Sequence, residues 1–260
     1  MVNFTFISDV YNHTTINGKM YKRLRLFGKE NVRYGIIFNE HSSIEKNTYV
    51  KLIDYVLIDK SLKINSFETM PYCIESLFDT VYFSNKAKHY IIELHKIIDF
   101  IKDESLHEFI KKVFLNANLI SKFSVFPASI RSHDSFKHGL IIHTIKTARK
   151  ALESSLGLSQ KEQDFAITGA LLHDIGKTKA YTKTGETFVY QYTSKGDMLG
   201  HKNLGVELLN EYFQDYNILS LEDQIYLKHI MYTQHNFDFD VKLSKVAAIV
   251  KEADEWAAAT

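Results

Sequence analysis

The chain has 260 residues, with 32 lysines and arginines against 31 aspartates and glutamates, a formal net charge of +1. So even a balance excludes a global field that would draw the protein onto nucleic acid or a membrane, and any such binding must come from a local patch. With 45% hydrophobic and 24% charged residues and one cysteine, Cys73, the composition is that of a globular protein without an intrachain disulfide. No signal sequence opens the chain and no apolar run approaches membrane-spanning length, so a soluble cytoplasmic protein is expected.

From the start to about Met70 the pattern is strand-like. Val2 to Val10 is the first run, and Asn17-Gly18 is a hairpin signal because both residues tolerate the positive φ that tight turns need. Met20 to Phe27, Val32 to Phe38, Thr48 to Ile58 and Leu62 to Phe67 follow as four further strands. Five short strands at this spacing suggest a small closed barrel of the OB type, whose second and third strands commonly present a face for single-stranded nucleic acid. On the second strand Leu24 and Leu26 would point inward, turning Tyr21, Arg23 and Arg25 outward together. An aromatic ring flanked by guanidinium groups can stack a base and neutralise phosphates.

After a joining segment with Pro71, the period changes from two to 3.6 at about Lys86, with Ile91, Leu94, Ile98 and Ile101 on one helical stripe. His89, His95 and His107 in this region read as surface residues. Leu140 to Leu156 is a helix predicted to end at Gly157 in a left-handed cap. Ser159 with Glu162 forms a capping box that opens the next helix. Tyr181 to Leu199 is a polar, aromatic-rich hairpin or loop. Helices beginning at Gly200-His201, at Leu221 behind a Ser220 cap, and at Leu243 complete an essentially all-helical half. The boundaries expected are 1–70 for the barrel, 71–118 for a linker with amphipathic helices, and 119–260 for the helical domain.

The chemistry centres on Leu171-Leu172-His173-Asp174-Ile175-Gly176-Lys177. A neutral imidazole beside a carboxylate can hold one divalent cation, and the second carboxylate oxygen can reach another. A His-Asp pair at a helix end can also be an ordinary polar cap. Against that, His143, His201, His235 and Asp254 each lie in or beside an apolar helical pattern, and buried imidazoles and carboxylates need partners that a shared metal supplies.

The order His143, His173-Asp174, His201, His235, Asp254 resembles the HD superfamily of metal-dependent phosphohydrolases, in the variant that houses two metals. The resemblance is closer still to the YhaM-type 3′-to-5′ exoribonucleases. It extends over Phe126-Pro127-Ala128, Ser132-His133, Gly139-Leu140 and the His-Asp run, then Tyr192-Thr193, Gly196 and Leu199-Gly200-His201. That family also carries an N-terminal OB domain, so the resemblance spans nearly the whole chain. It implies an α+β multidomain fold, a small OB barrel followed by an all-α HD bundle.

The resemblance implies His143, His173, Asp174 and Asp254 as ligands of a first metal, with Asp174 bridging to a second held by His201 and His235. Mixed nitrogen and oxygen ligation suits Mn²⁺ first, and admits Fe²⁺, Ni²⁺, Co²⁺ or Zn²⁺. Where the family tends to carry paired histidines, this chain has Gln234-His235 and His133-Asp134. His133 could donate a proton to the leaving 3′-oxygen, and Lys177 could neutralise a non-bridging phosphate oxygen. His229, six residues before His235, would face about 120° away on a continuous helix. The expected function is a 3′-to-5′ exonuclease acting on single-stranded RNA, with DNA as a further candidate, in a chain that could form homo-oligomers. A phosphohydrolase acting on nucleotides or cyclic nucleotides is the alternative, and a non-catalytic nucleic-acid-binding protein with a structural metal is a third reading.

Overall fold

The computed structural model describes residues 4–29, 33–38, 44–130, 132, 134–185, 188–233 and 242–260. The chain divides into two compact units, Met1–Ser84 with Phe114–Ser121, and Asn85–Val113 with Lys122–Thr260. No helix among the described residues is long and apolar enough to cross a membrane.

In the first unit β1 (Phe4–Thr14), β2 (Met20–Phe27), β3 (Arg33–Ile37), β4 (Thr48–Ile58) and β5 (Ser61–Thr69) close a barrel in the order β1-β2-β3-β5-β4. Only β3 and β5 run parallel among the described pairs. This is the five-stranded arrangement of an OB-type barrel, as the strand count suggests. Strand alternation sends Ile7, Leu24, Leu26, Ile37, Val50, Leu52, Leu62 and Ile64 into one apolar core. Gly18 takes a φ of +77° in the β1–β2 turn, where Thr15 and Lys19 close the loop by a backbone hydrogen bond of 2.8 Å. A side chain at that φ would clash with its own backbone, which is why the Asn-Gly signal is reliable there. The barrel is followed by α1 (Ile74–Thr80). Residues 114–121 belong to the same unit, and the Tyr49 hydroxyl donates to the Leu115 carbonyl at 2.5 Å.

The helical part continues with α2 (Asn85–Ile98), α3 (Glu104–Phe114), α4 (Ala117–Phe123), α5 (Gly139–Ser155), α6 (Gln160–Leu172) and the single turn α7 (Lys177–Ala180). The hairpin β6 (Tyr181–Thr184) and β7 (Val189–Tyr192) then leads to α8 (Ser194–Tyr216), α9 (Leu221–Tyr232) and α10 (Lys245–Ala259). The segment from Tyr181 is therefore a hairpin, but its last residues already belong to α8. That helix breaks at Gly200, whose φ of 71° and ψ of 157° only glycine adopts without strain, so the run from His201 starts afresh.

Two expectations need correction. Gly157 is not a left-handed cap: α5 ends at Leu156 with φ −54°, and i→i+3 bonds from Leu156 to Glu153 and from Leu158 to Ser155 tighten the last turn instead. His95 is not a surface residue but is buried in α2, where burial lowers its pKa to about 4 and keeps the ring neutral. The capping box at the start of α6 is present, with the Ser159 hydroxyl and the Glu162 carboxylate each bonding the other's backbone N–H. From Asp164 to Leu172 α6 is buried on every face, and α5, α9 and α10 pack around it.

Candidate metal centre and barrel face

The buried helix α6 has no solvated end at its C-terminus, so His173 and Asp174 emerge into the interior, 3% and 1% exposed. There α5 brings His143 and α10 brings Asp254. The His143 Nε2 lies 2.8 Å from Asp254 Oδ1, 3.3 Å from His173 Nε2 and 3.7 Å from Asp174 Oδ2. The His173 Nε2 lies 3.3 Å from Asp174 Oδ2 and 3.4 Å from Asp254 Oδ1. Ligand atoms bound about 2.1 Å from one ion stand about 3.4 Å apart along the edges of a tetrahedron, so these spacings are those of a coordination shell. Without an ion, a protonated His173 and an Nε2–H on His143 can donate to the carboxylates; a divalent cation would replace those protons and take the same nitrogens and oxygens as ligands. Of these residues, His143, His173 and Asp174 are all fully buried and close enough to share one ion.

The surroundings orient the ligands. The His173 Nδ1–H donates to the Ala170 carbonyl at 2.7 Å, which turns Nε2 toward the cluster. Asp134 Oδ2 stands 3.7 Å from His143 Nδ1 and acts on the other ring in the same sense. Asp174 Oδ2 is also paired with the buried Lys177 ammonium, while Oδ1 makes no hydrogen bond among the described residues and faces His201 Nε2 at 3.4 Å. The two oxygens thus look toward different histidines. His201 reaches this place because Gly176 lets α8 come close: a Cβ there would overlap the His201 carbonyl oxygen and the Gly205 backbone.

The electrostatics follow. Burial alone would lower the His173 pKa, but Asp174 and Asp254 outweigh it and raise it to about 10. Burial would raise the Asp254 carboxyl, yet His173 and the hydrogen bond from His143 hold it far below its usual range. Asp174 likewise, against burial, is held well down by Lys177 and His173. Burial, then Tyr192 and Asp174, push the Tyr181 hydroxyl upward, so it stays protonated beside the site.

On the barrel, β2 turns Tyr21, Arg23 and Arg25 outward as alternation requires, with Leu24 and Leu26 buried between them. The neighbouring strands complete the face: His13 on β1 stacks on Tyr21 at 5.3 Å, and Phe38 lies 5.5 Å from the same ring. The Arg23 guanidinium sits 4.3 Å over the Tyr34 ring, and the Lys19 ammonium 5.4 Å over Phe38. Arg25 is offset by Asp9, its cross-strand neighbour, at 3.7 Å.

The stretch from α5 to α10 matches the family model of the HD domain over residues 140–259. Residues 140–259 are an HD domain. The similarity to individual proteins runs further. The 3′-5′ exoribonuclease YhaM of Listeria welshimeri is 25% identical over 256 residues, 89% of this chain and 75% of that protein. YhaM of Bacillus subtilis is 25% identical over 68% of this chain and 50% of its own length, and that of Oceanobacillus iheyensis 30% identical over 42% and 33%. The chain thus spans three quarters of the first relative and half or less of the other two. No solved structure matches the chain.

Within the HD domain the structure brings together His143, His173, Asp174, Asp254, His201 and Lys177. His133 and His235 lie outside the described residues. His229 is not part of this cluster: it sits in the last turn of α9, and its Nε2 accepts the Ser244 N–H at 3.3 Å where α10 begins. His138 is turned away, bonding the Ser124 carbonyl through Nδ1 at 2.5 Å. Two residues went unassigned in the sequence. Asp134 was visible only as a departure from a His-His pair. Lys202, next to His201, has its ammonium nitrogen shielded from solvent with no hydrogen-bond partner among the described residues, and burial lowers its pKa to about 8 against the pull of Asp254 and Asp174. Nothing in the sequence singled it out, because the helix opens with the polar run His201-Lys202-Asn203.

Proposed function

We propose that the protein is a metal-dependent 3′-to-5′ exoribonuclease that hydrolyses phosphodiester bonds of single-stranded RNA, with DNA as a further substrate. The observation that carries the reading is the convergence of two buried imidazole nitrogens, 3.3 Å apart, on the carboxylates of Asp174 and Asp254 inside an HD domain. Similarity to the YhaM exoribonucleases across 89% of this chain, barrel included, supports the substrate class.

In this reading His143, His173, Asp174 and Asp254 would hold one divalent ion, and Asp174 through Oδ1, with His201 and His235, a second. Manganese would be the ion, and iron would suit the same mixed donor set. When bound, such ions supply the acidity that makes water a nucleophile and the charge that stabilises a leaving oxygen. The chain does the rest. The Ala170 carbonyl and Asp134 fix the two imidazole rings, Lys177 holds the Asp174 carboxylate, and the enclosed helix ends exclude bulk water from the ligands. His133 would pass a proton to the leaving 3′-oxygen. The barrel, residues 1–70, would hold the strand by stacking bases on Tyr21 and neutralising phosphates with Arg23 and Arg25, ahead of the linking segment 71–118 and the catalytic part 119–260. A homo-oligomeric state is carried over from the family resemblance alone, and a cytoplasmic location is proposed on the single cysteine, which fits a reducing compartment.

The test is to incubate the Mn²⁺-loaded protein with 5′-labelled single strands and with mononucleotides and cyclic dinucleotides. A ladder shortening from the 3′ end is expected. Hydrolysis confined to the small molecules would replace this reading with a nucleotide phosphohydrolase, and no hydrolysis of any substrate with a loaded site would leave a structural metal.

A further inference from the structure

We propose that Lys202 is the residue that grips the phosphate group entering this site. The inference rests on the phosphodiesterase reading of the cluster and names a binding residue within it.

Lys202 follows His201 directly, just past the break at Gly200. Its ammonium nitrogen is closed off from solvent, yet none of its three donors meets an acceptor among the described residues. Enclosing an ammonium nitrogen without a partner is unfavourable, so such a group points to an acceptor that arrives from outside. The carboxylates do not take that part. Asp254 Oδ1 is engaged by His143 and His173, and Asp174 Oδ2 by His173 and Lys177. Both carboxylates lie within electrostatic reach of the Lys202 ammonium, and its neighbour His201 faces Asp174 Oδ1 at 3.4 Å. Lys251 on α10, 3.9 Å from Glu255, is a second cation within electrostatic reach of it. Lys177 is the poorer candidate for the same task because it is already paired. With the carboxylates given over to metal, Lys202 is the enclosed, unbonded ammonium among the described residues that can meet an anion, and a phosphate oxygen supplies both the charge and the acceptor lone pairs.

The test compares the Mn²⁺-loaded parent with Lys202→Met and Lys202→Arg by calorimetric titration with inorganic phosphate and with adenosine 5′-monophosphate. Lys202→Met should bind both about tenfold more weakly or worse, and Lys202→Arg should stay close to the parent. Metal content should be unchanged, and the unfolding midpoint of Lys202→Met should hold or rise, because an unpartnered buried charge has been removed. Weakening of the monophosphate alone would put the contact on the nucleoside and overturn the proposal. So would equal affinities in parent and Lys202→Met, or a fall in midpoint or metal content, which would make Lys202 a counter-ion of the carboxylates. If the parent binds phosphate through Lys202 but shortens no RNA, the exonuclease reading fails while this inference stands.

Discussion

His173 shows how much of the site's behaviour is set by single groups. With its pKa raised from 6.5 to about 10, its imidazolium contributes stability that is fully present below pH 6.5 and is lost as pH rises through about 10. Chelator-treated protein should therefore lose thermal stability progressively across that window. Protein loaded with metal, whose binding expels the proton, should lose much less, and parallel melting curves across the window would show that His173 does not carry the proton. Asp254 acts in the opposite sense: its depressed pKa gives stability present above 3.8 and lost as the solution is acidified below it. Asp174 has the wider role, since its two oxygens face different histidines. Asp174→Ala should lower hydrolysis by more than about a thousandfold and strip most bound metal, leaving the barrel's strand signal in circular dichroism intact. A metal-replete variant with full activity would contradict the bridging assignment.

At the scale of elements, the site depends on where helices stop and bend. The break in α8 at Gly200 sets the direction in which His201 leaves, and the close approach at Gly176 sets its depth. A Cβ at Gly200 would meet nothing nearby, so Gly200→Ala acts through backbone conformation alone. It should cost about 1–3 kcal/mol and lower metal stoichiometry at the His201 side, with the His143–His173–Asp254 side still loaded. Metal analysis together with denaturant unfolding checks both parts, and unchanged stoichiometry would remove His201 from the ligands. On the barrel, the proposed function gives the outward residues of β2 different tasks. Tyr21→Ala should cost about 1–3 kcal/mol of single-strand affinity with little change in salt dependence, through a lost stacking surface. Arg23→Ala should flatten the salt dependence by about one phosphate contact. Arg25→Ala should do less, because Asp9 already offsets that charge. Binding isotherms at several salt concentrations separate the three, and parent-like binding in all would move the strand contact to the hairpin β6–β7.

For the whole molecule, the proposed function puts affinity and chemistry in different units. A strand held by the barrel raises the effective concentration of its end at the metals only if it is long enough to engage both. The combined variant Tyr21→Ala, Arg23→Ala should therefore lose most of its kcat/KM on a long single strand and almost none on a dinucleotide. Equal losses on both substrates would make the barrel a structural module.

Period and turn chemistry made the architecture legible in the sequence, because they are local. The alternation of Leu24 and Leu26 with Tyr21, Arg23 and Arg25, the turn at Gly18, the switch of period near Lys86 and the Ser159–Glu162 box each act within a few residues. The vicinal pair His173-Asp174 and the order of His143, His201 and Asp254 likewise named the candidate ligands. What the chain order could not supply is distance and competition. His143 and Asp254, 111 positions apart in the chain, close to 2.8 Å only because α5, α6 and α10 pack together. Three-dimensional crowding likewise tied Lys177 to Asp174, engaged His229 at the start of α10, buried His95, and left the Lys202 ammonium enclosed without an acceptor among the described residues. A side chain's type is fixed by the sequence, but which neighbour satisfies it is decided by packing, since a hydrogen bond or ion pair is won by whichever group the fold brings within reach.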